Sequence, residues 1–199
     1  MSVQVPSGLT LVEGEKPYWY GRRIFTSMPG SIILGLILLL LGLPMLAGGR
    51  DAAGLGIIFI IIAIILLLRV YLAVKNSEYF ISSHRVYVKY GTFSKTSHEI
   101  KNEWITSVAV HQGSLGRALN YGDVVISVPG YIGTVVMFGV SDPLRVKALL
   151  DDVLRRFKEA QKIQEELKTL EREYMYGRIS KERYEELKKK YEEELKKLF

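Results

Sequence analysis

The chain of 199 residues contains no cysteine, which excludes disulfide bonds and thiolate metal sites. Glutamine and asparagine are scarce, whereas lysine and glutamate are abundant. This bias is typical of proteins from hyperthermophiles and predicts a thermophilic source. The net charge of +6 is small, and charges of both signs are interspersed along the chain. A surface that binds nucleic acid is therefore not expected.

Two long segments almost lack charge. No charged side chain lies between Arg23 and Arg50, and only Arg69 interrupts the apolar run from Ala52 to Val74. A helix of about 20 apolar residues is long enough to cross the hydrocarbon core of a bilayer. A pair of buried core helices is the alternative, but the rest of the chain is too small to enclose two helices that are apolar on every face.

These segments predict an integral membrane protein in which residues 24–75 form a transmembrane helical hairpin, with spans near 28–47 and 52–74. The connection between the spans is so short that the helices must be antiparallel. Gly35 and Gly42 are one candidate reason for a close approach of the helices. The alternative is that these glycines only reflect the composition of transmembrane helices.

The flanks of the hairpin predict its orientation. Lys and Arg are concentrated on the side that carries both termini, whereas Arg50 stands alone on the other side. Because basic flanks stay in the cytoplasm, we expect a multi-pass cell-membrane protein with cytoplasmic N- and C-termini and a cytoplasmic segment 1–23. The expected membrane-interface residues are Tyr18, Trp19, Tyr20, Arg22, Arg23, Arg69 and Lys75. We favour an interfacial belt for the three aromatic residues over packing against a soluble domain.

Residues 76–157 predict a small β domain, because apolar side chains there recur with a period of two. Glu78–Ser82 and Arg85–Tyr90 flank a tight turn. Further strands are expected at 95–100, 105–112, 122–128 and 134–138. Asp142-Pro143 then predicts the start of an amphipathic helix, with Asp142 as its N-cap. The expected fold class is a membrane protein of the α+β type, with a small antiparallel β-barrel capped by a helix.

Several motifs resemble the bacterial pleckstrin-homology-like (PH-like) domains of small membrane proteins. They are Tyr79-Phe80-Ile81-Ser82-Ser83-His84-Arg85, Tyr90-Gly91, Gly113-Ser114-Leu115-Gly116-Arg117, Asn120-Tyr121-Gly122-Asp123-Val124 and Gly139-Val140-Ser141-Asp142-Pro143. Ser83-His84 departs from the threonine and asparagine that are more usual in that family. The resemblance covers residues 78–155 and implies a membrane-anchored barrel used for binding or self-assembly, without a catalytic residue.

Residues 158–199 predict a charged helical hairpin, because apolar side chains recur at helical spacing on both sides of Gly177. Residues 170–191 are similar to the short C-terminal (SHOCT-like) modules of prokaryotic proteins, from which Arg183 and Tyr191 depart. That resemblance implies an element for interaction or oligomerisation; an ordinary solvated helix is the alternative. The expected interaction residues of this arm are Leu167, Leu170, Tyr174, Ile179, Tyr184, Leu187 and Tyr191.

The sequence contains no recognisable catalytic or metal-binding motif. His84, His98 and His111 are dispersed, and none stands in a zinc-protease spacing. The apolar segments contain no Asp, Glu or His within the spans that would indicate a proton relay. We therefore expect no enzymatic activity, no metal, no cofactor and no small-molecule substrate.

The expected function is that of a membrane-anchored PH-like binding or scaffolding protein, whose β domain and helical arm bind a protein partner or a second copy. Recognition of anionic lipid headgroups and a role as accessory subunit of a transporter or channel are the alternatives. For Trp104 and Tyr121, partial burial in the core is an equal alternative to partner contact. The candidate partner or lipid contacts are Arg85, Lys89, Lys95, Trp104, Arg117 and Tyr121.

Overall fold

The computed structural model describes residues 3–6, 8–92, 94–130 and 133–198. The strands in this part of the chain are β1 (Pro17–Gly21), β2 (Glu78–Ser82), β3 (Arg85–Tyr90), β4 (Thr96–Lys101), β5 (Ser107–His111), β6 (Tyr121–Ser127) and β7 (Thr134–Ser141). The helices are α1 (Pro29–Met45), α2 (Arg50–Lys75), α3 (Ser114–Ala118), α4 (Pro143–Met175) and α5 (Lys181–Leu198). Short 3₁₀ turns occupy Phe25–Ser27 and Asn102–Trp104.

The strands form two antiparallel sheets, one with the order β1-β2-β3-β4 and the other with the order β5-β6-β7. Side chains along β3 alternate between the two faces of the sheet, so Val86 and Val88 lie on the core side and are completely buried. The first half of α4 packs on the same core through Val146, Leu150 and Val153. The structure therefore confirms an α+β fold with antiparallel strands and a helix packed on their core.

Strand β1 was not expected from the sequence, because it lies before the apolar helices. It pairs antiparallel with β2, and Gly21 is the register partner of Tyr79. Every residue of β2 is buried, since β2 lies between β1 and β3. Residues 17–21 thus belong to the β domain rather than to a separate segment 1–23, and the α1–α2 hairpin is an insertion between two neighbouring strands.

The two apolar helices pack against each other as an antiparallel pair joined by residues 46–49. In the described part of the chain, one helix, α2, is long and apolar enough to cross a membrane by length and composition, and α1 is a shorter apolar helix. Gly42 and Gly56 lie at the helix crossing, where a Cβ on Gly42 would be 3.0 Å from the Gly56 carbonyl oxygen. Glycine therefore permits the close approach of the helices, as the sequence predicts for Gly42.

We expect Gly56→Ala to destabilise this helix pair by about 1–3 kcal/mol, because overpacking forces the helices apart. The added Cβ would lie 2.8 Å from the Gly42 carbonyl oxygen and 3.0 Å from the Met45 Cβ. Gly54→Ala is the matched control in the same helix, since nothing lies within 4 Å of its Cβ position. Alanine there should be neutral or stabilising by up to about 1 kcal/mol. Thermal unfolding of the full chain in detergent micelles measures both variants; equal midpoints would contradict the packing.

Helix α4 differs from the sequence prediction in two respects. Asp142 occupies the expected N-cap position before Pro143, but it has φ 49° and its side chain makes no capping hydrogen bond. The helix also continues unbroken from Pro143 to Met175, so the expected division at residues 157 and 158 falls inside one helix. The β domain and the arm therefore share a single rigid element.

The arm is a helical hairpin, as the sequence predicts. Gly177 has φ +67° directly after α4, a conformation that favours glycine. The Arg183 amide donates to the Ser180 hydroxyl at 3.3 Å, which places Ser180 as the predicted cap of α5. Tyr174 and Tyr184 stack across the two helices with ring centroids 4.5 Å apart.

Candidate interaction surfaces

One end of the β domain, called the hairpin end below, carries both connections to the α1–α2 hairpin. β1 ends there and β2 begins beside it. The Ile24 amide donates to the Gly139 carbonyl at 3.0 Å, which fixes the first connection to the second sheet. The Asn76 side chain donates to the Thr92 carbonyl at 3.0 Å, which fixes the second connection to the β3–β4 turn.

The hairpin end also contains the β5–β6 connection, with α3, and the first turn of α4. Tyr121 at the start of β6 is the register partner of Ser141 at the end of β7. The opposite end of the domain, called the distal end, contains the β2–β3 turn at Ser83 and His84. There a hollow is lined by both of these residues and by Phe157 and Gln164 of α4. Helix α4 therefore runs from the hairpin end past the distal end.

A groove of about 710 Å³ lies at the hairpin end between β1 and the first turns of α4. Three arginines, one acid and the aromatic residues of β1 line it; the charged residues are Arg22, Arg23, Arg145 and Asp142. Arg22 donates from Nε to the Tyr20 hydroxyl oxygen at 2.6 Å. The groove thus combines cationic and aromatic side chains, which suits an anionic or amphipathic surface better than a small apolar ligand.

The aromatic residues assigned to a membrane belt lie in strand β1. Tyr18 and Trp19 pack against the hydrophobic core, which agrees with the alternative interpretation of local packing. Arg69 is exposed on α2, and the Lys75 ammonium lies 5.6 Å from the centre of the Tyr71 ring. Contact of any of these residues with lipid stays a prediction.

Glu78 is a buried carboxylate that pairs with two predicted cationic residues. Arg22 Nη2 lies 3.4 Å from its Oε1, and Lys89 Nζ lies 2.9 Å from its Oε2. The hydrogen bond to Glu78 outweighs partial burial and raises the pKa of Lys89 above its ordinary value. Lys89 therefore helps to neutralise an acid within the sheet.

Arg85 and Glu15 form a second internal ion pair. Arg85 donates from Nε and Nη2 to the two Glu15 carboxylate oxygens at 2.9 and 2.8 Å, and from Nη1 to Glu99 at 2.6 Å. The Glu15 side chain has no exposed surface. Burial alone would raise its pKa, but hydrogen bonds from Arg85, Ser82 and the Val12 amide outweigh burial, so the pKa of Glu15 lies below its usual value. This pair holds residues 10–16 against the sheet.

The other predicted contact residues lie at two different ends of the domain. Lys95, Arg117 and Tyr121 belong to the hairpin end, where the Tyr121 ring and backbone pack against α3 at Gly116. Trp104 lies at the distal end, is 45% exposed, and its ring lies beneath the Lys101 ammonium at 5.4 Å. Three of the predicted contact residues therefore lie at the same end of the domain, whereas Trp104 lies at the other end. Arg85 and Lys89 form ion pairs within the domain.

The arm has an apolar seam between α4 and α5. Leu170 is buried at its centre, whereas Leu167, Ile179, Tyr184, Leu187 and Tyr191 are half-buried and Tyr174 is exposed. No residue of α5 is fully buried. Two helices alone therefore leave this seam partly open to solvent.

Sequence reasoning missed both buried acids, Glu15 and Glu78, and the exposed side chains of Leu115, Leu119 and Leu144 at the hairpin end. A lone glutamate in an N-terminal segment carries no signal until its strand partner is known. Among the described residues, no group of three or more His, Cys, Asp or Glu side chains could hold a metal ion.

The comparisons with known proteins agree with the fold. Neither the search of curated proteins nor the search of solved structures found a match. Residues 30–171 match the family described as Bacterial PH domain. This match covers most of the chain, including α1, α2 and the strands β2 to β7. Together with the two antiparallel sheets and the helix packed on their core, it shows that the chain belongs to the bacterial PH domain family.

Proposed function

We propose that this protein is a non-enzymatic, membrane-anchored scaffold, which crosses the membrane twice and holds a cytoplasmic PH-like domain with a self-associating helical arm. The pairing of β1 with β2 is the observation that carries the proposal. These strands precede and follow the apolar hairpin, yet they are hydrogen-bonded neighbours. The chain must therefore return to the side from which it left.

This constraint bears on the number of crossings. If α2 alone crossed the membrane, β1 and β2 would lie on opposite sides and could not pair. A second crossing by α1 restores the pairing. Its 17 residues extend about 26 Å at 1.5 Å per residue, near the lower limit for a spanning helix.

The surface of the hairpin also supports insertion. Large aliphatic side chains of both helices are exposed along their length, for example Leu40, Leu43, Ile57 and Ile65. Soluble monomers rarely expose a continuous apolar surface of this size. The basic flanks at Arg22, Arg23 and Lys75 favour a cytoplasmic location for the hairpin end and hence for the β domain.

The arm extends away from the membrane in this arrangement. Helix α4 passes the distal end near Ala160 and continues to Met175, a further distance of about 22 Å. Helix α5 returns along it, with Leu198 near Ile163. Arms of two copies in one membrane would stand at the same height, so their half-buried seams could meet as a four-helix bundle.

A cross-linking experiment tests self-association. Because the chain lacks cysteine, Met175→Cys places a single thiol at the tip of the arm, where Met175 is 76% exposed. We expect a short bis-maleimide to join most chains of this variant into dimers in native membranes. Ser97→Cys, at an exposed position of β4, is the control and should stay monomeric.

Two further measurements complete the test. Termination of the chain after Tyr176 removes α5 and should abolish cross-linking at position 175. Extraction of membranes at alkaline pH should leave the full chain in the pellet, and protease added outside intact cells should not remove the arm. Equal cross-linking at positions 175 and 97 would overturn self-association, whereas release of the chain by alkali would overturn the anchor.

A further inference from the structure

The exposed large apolar side chains of the β domain are unevenly distributed. Within the described part of 76–157 they are Trp104, Leu115, Leu119 and Leu144. Trp104 lies at the distal end, but the three leucines all lie at the hairpin end, where they are 58%, 53% and 61% exposed in chain order. Phe25, in the 3₁₀ turn just before α1, is also exposed there.

The local structure of α3 forces its leucines outward. A Cβ at Gly116 would lie 2.6 Å from the Tyr121 carbonyl oxygen, so α3 turns a residue without a side chain toward the domain. Leu115 and Leu119 are four residues apart and therefore share one side of this helical turn. Burial of Gly116 leaves both leucines on the outside.

Helix α3 lies directly beside the start of the hairpin. One hollow is lined by Arg23 and Ser27 from the first connection and by Ser114, Leu115 and Gly116 from α3. Ser27 is followed by α1, which begins at Pro29. Any bilayer that contains α1 must therefore reach the level of α3.

The charges at the hairpin end are predominantly basic. Lys75, Lys95, Arg117 and Arg145 are exposed at this end of the domain, and Arg117 and Arg145 are close in sequence to the leucines. Of the nearby acids, Glu78 is buried in its ion pairs, and Asp123 accepts a hydrogen bond from the Gly139 amide at 2.7 Å. Asp142, before the first turn of α4, is half-buried and lines the groove that Arg22, Arg23 and Arg145 also line, so cations outnumber it there. An apolar patch surrounded by cations matches the interfacial region of an anionic leaflet.

We propose that α3 and the first turn of α4 dock in the headgroup layer of the bilayer that holds the hairpin. Leu115, Leu119 and Leu144 enter the upper acyl region, and Arg117, Arg145 and Lys95 contact lipid phosphates. The bilayer is favoured over a protein as occupant, because both hairpin connections emerge at this face. The proposal rests on the proposed membrane anchor and fixes how the β domain is oriented on it.

Fluorescence quenching by lipids tests this docking. The variant Leu119→Cys of the full chain is labelled with an environment-sensitive dye. It is then reconstituted in vesicles of phosphatidylcholine and phosphatidylglycerol. The quencher is a lipid spin label at the top of the acyl chain, because the proposed insertion reaches only the interfacial region of the bilayer. We expect this label to quench the dye at position 119 about fivefold more than the same dye at Trp104→Cys, which lies at the distal end. In a variant with Arg117→Gln and Arg145→Gln, we expect weaker quenching, with most of the loss in phosphatidylglycerol vesicles.

A third probe separates the two proposals. The dye at Leu40→Cys, in α1, should be quenched by a spin label deep in the acyl chains. If position 40 is quenched and position 119 is quenched no more than position 104, docking is wrong and the anchor stands. If position 40 is not quenched, the anchor and the docking that rests on it both fail.

Discussion

A chain in which Asn-Gly replaces residues 23–77 is expected to fold as a soluble domain, whereas a chain that begins at Asn76 is not. In the first variant, Arg22 and Glu78 become the ends of a two-residue hairpin loop between β1 and β2. The register supports this design, because Gly21 and Tyr79 are already paired, and Asn-Gly is the preferred loop for such a connection.

The second variant lacks β1 and leaves β2 as an edge strand. Tyr79, Phe80 and Ile81 are fully buried in the complete sheet, and Phe80 lies between its register partners Tyr20 and Tyr87. Loss of β1 exposes this apolar strand and its unpaired backbone groups, which favours aggregation. We therefore expect most of the truncated chain in the insoluble fraction.

The measurement is the soluble yield and the thermal unfolding of both variants. In the loop-joined variant, which keeps β1, the emission of Trp19 is also recorded in a Trp104→Phe background. The loop-joined variant should unfold cooperatively and show the emission of a shielded indole. Cooperative unfolding of the truncated chain at the same temperature would show that β1 is dispensable and would remove the basis for two crossings.

Glu15→Gln is expected to destabilise the β domain by about 3 kcal/mol, because removal of one partner leaves a shielded charge without compensation. Glu99, whose side chain is 49% exposed, would be the one carboxylate that still pairs with Arg85 in the described part of the chain, beside the Thr10 carbonyl. The bidentate pair to Glu15 and the bond to Ser82 would both be lost or weakened. The segment before β1 should then detach from the sheet.

The effect should depend on pH with a defined sign. The pKa of Glu15 is lower in the folded protein than its ordinary value of 4.5. The contribution of the Glu15 carboxylate to the free energy of unfolding is therefore fully present above pH 4.5 and is lost as the pH falls through the folded pKa. The stability difference between wild type and Glu15→Gln should therefore be constant near neutral pH and shrink below pH 4.5. Denaturant unfolding of the full chain in micelles, followed by Trp19 emission, measures this difference.

Glu103→Gln provides the matched control. Glu103 pairs with Lys101 at 3.7 Å, and both side chains are well exposed. Such a surface pair contributes at most about 0.5 kcal/mol, so its removal should change little at any pH. A Glu15→Gln variant that behaves like Glu103→Gln would contradict the role of the buried pair.

Local patterns in the sequence predicted the parts of the fold that local chemistry determines. The turn at Ser83-His84 and the alternation of Val86 and Val88 were predictable, because they depend on neighbours in the chain. The helical hairpin of the arm was predictable from Gly177 and the apolar spacing around it. The expected domain division at residues 157 and 158 falls inside α4, because no helix-breaking residue stands there to end the helix.

The candidate sites were less accessible to sequence reasoning, since they depend on pairings between distant residues. Tyr18-Trp19-Tyr20 beside basic residues is an equally good pattern for a membrane belt and for a strand. Only the pairing with β2 distinguishes them. The sequence suggests that Arg85 and Lys89 could contact a partner or lipid. In the folded sheet they form ion pairs with Glu15 and Glu78, and spacing along the chain does not predict these pairs.

The insertion of two apolar helices between adjacent strands has a consequence for biosynthesis. At 5–20 residues per second, the ribosome completes Tyr79 on the order of 3–12 s after Gly21. During that interval β1 has no partner, and in the proposed anchor the intervening helices must enter the lipid in the same time. In the proposed membrane-anchored arrangement, the sheet closes only after the translocation machinery has released both helices, so folding of the β domain would report that insertion has succeeded. A chain whose insertion stalls would keep an unpaired, aromatic strand that quality-control proteases can recognise.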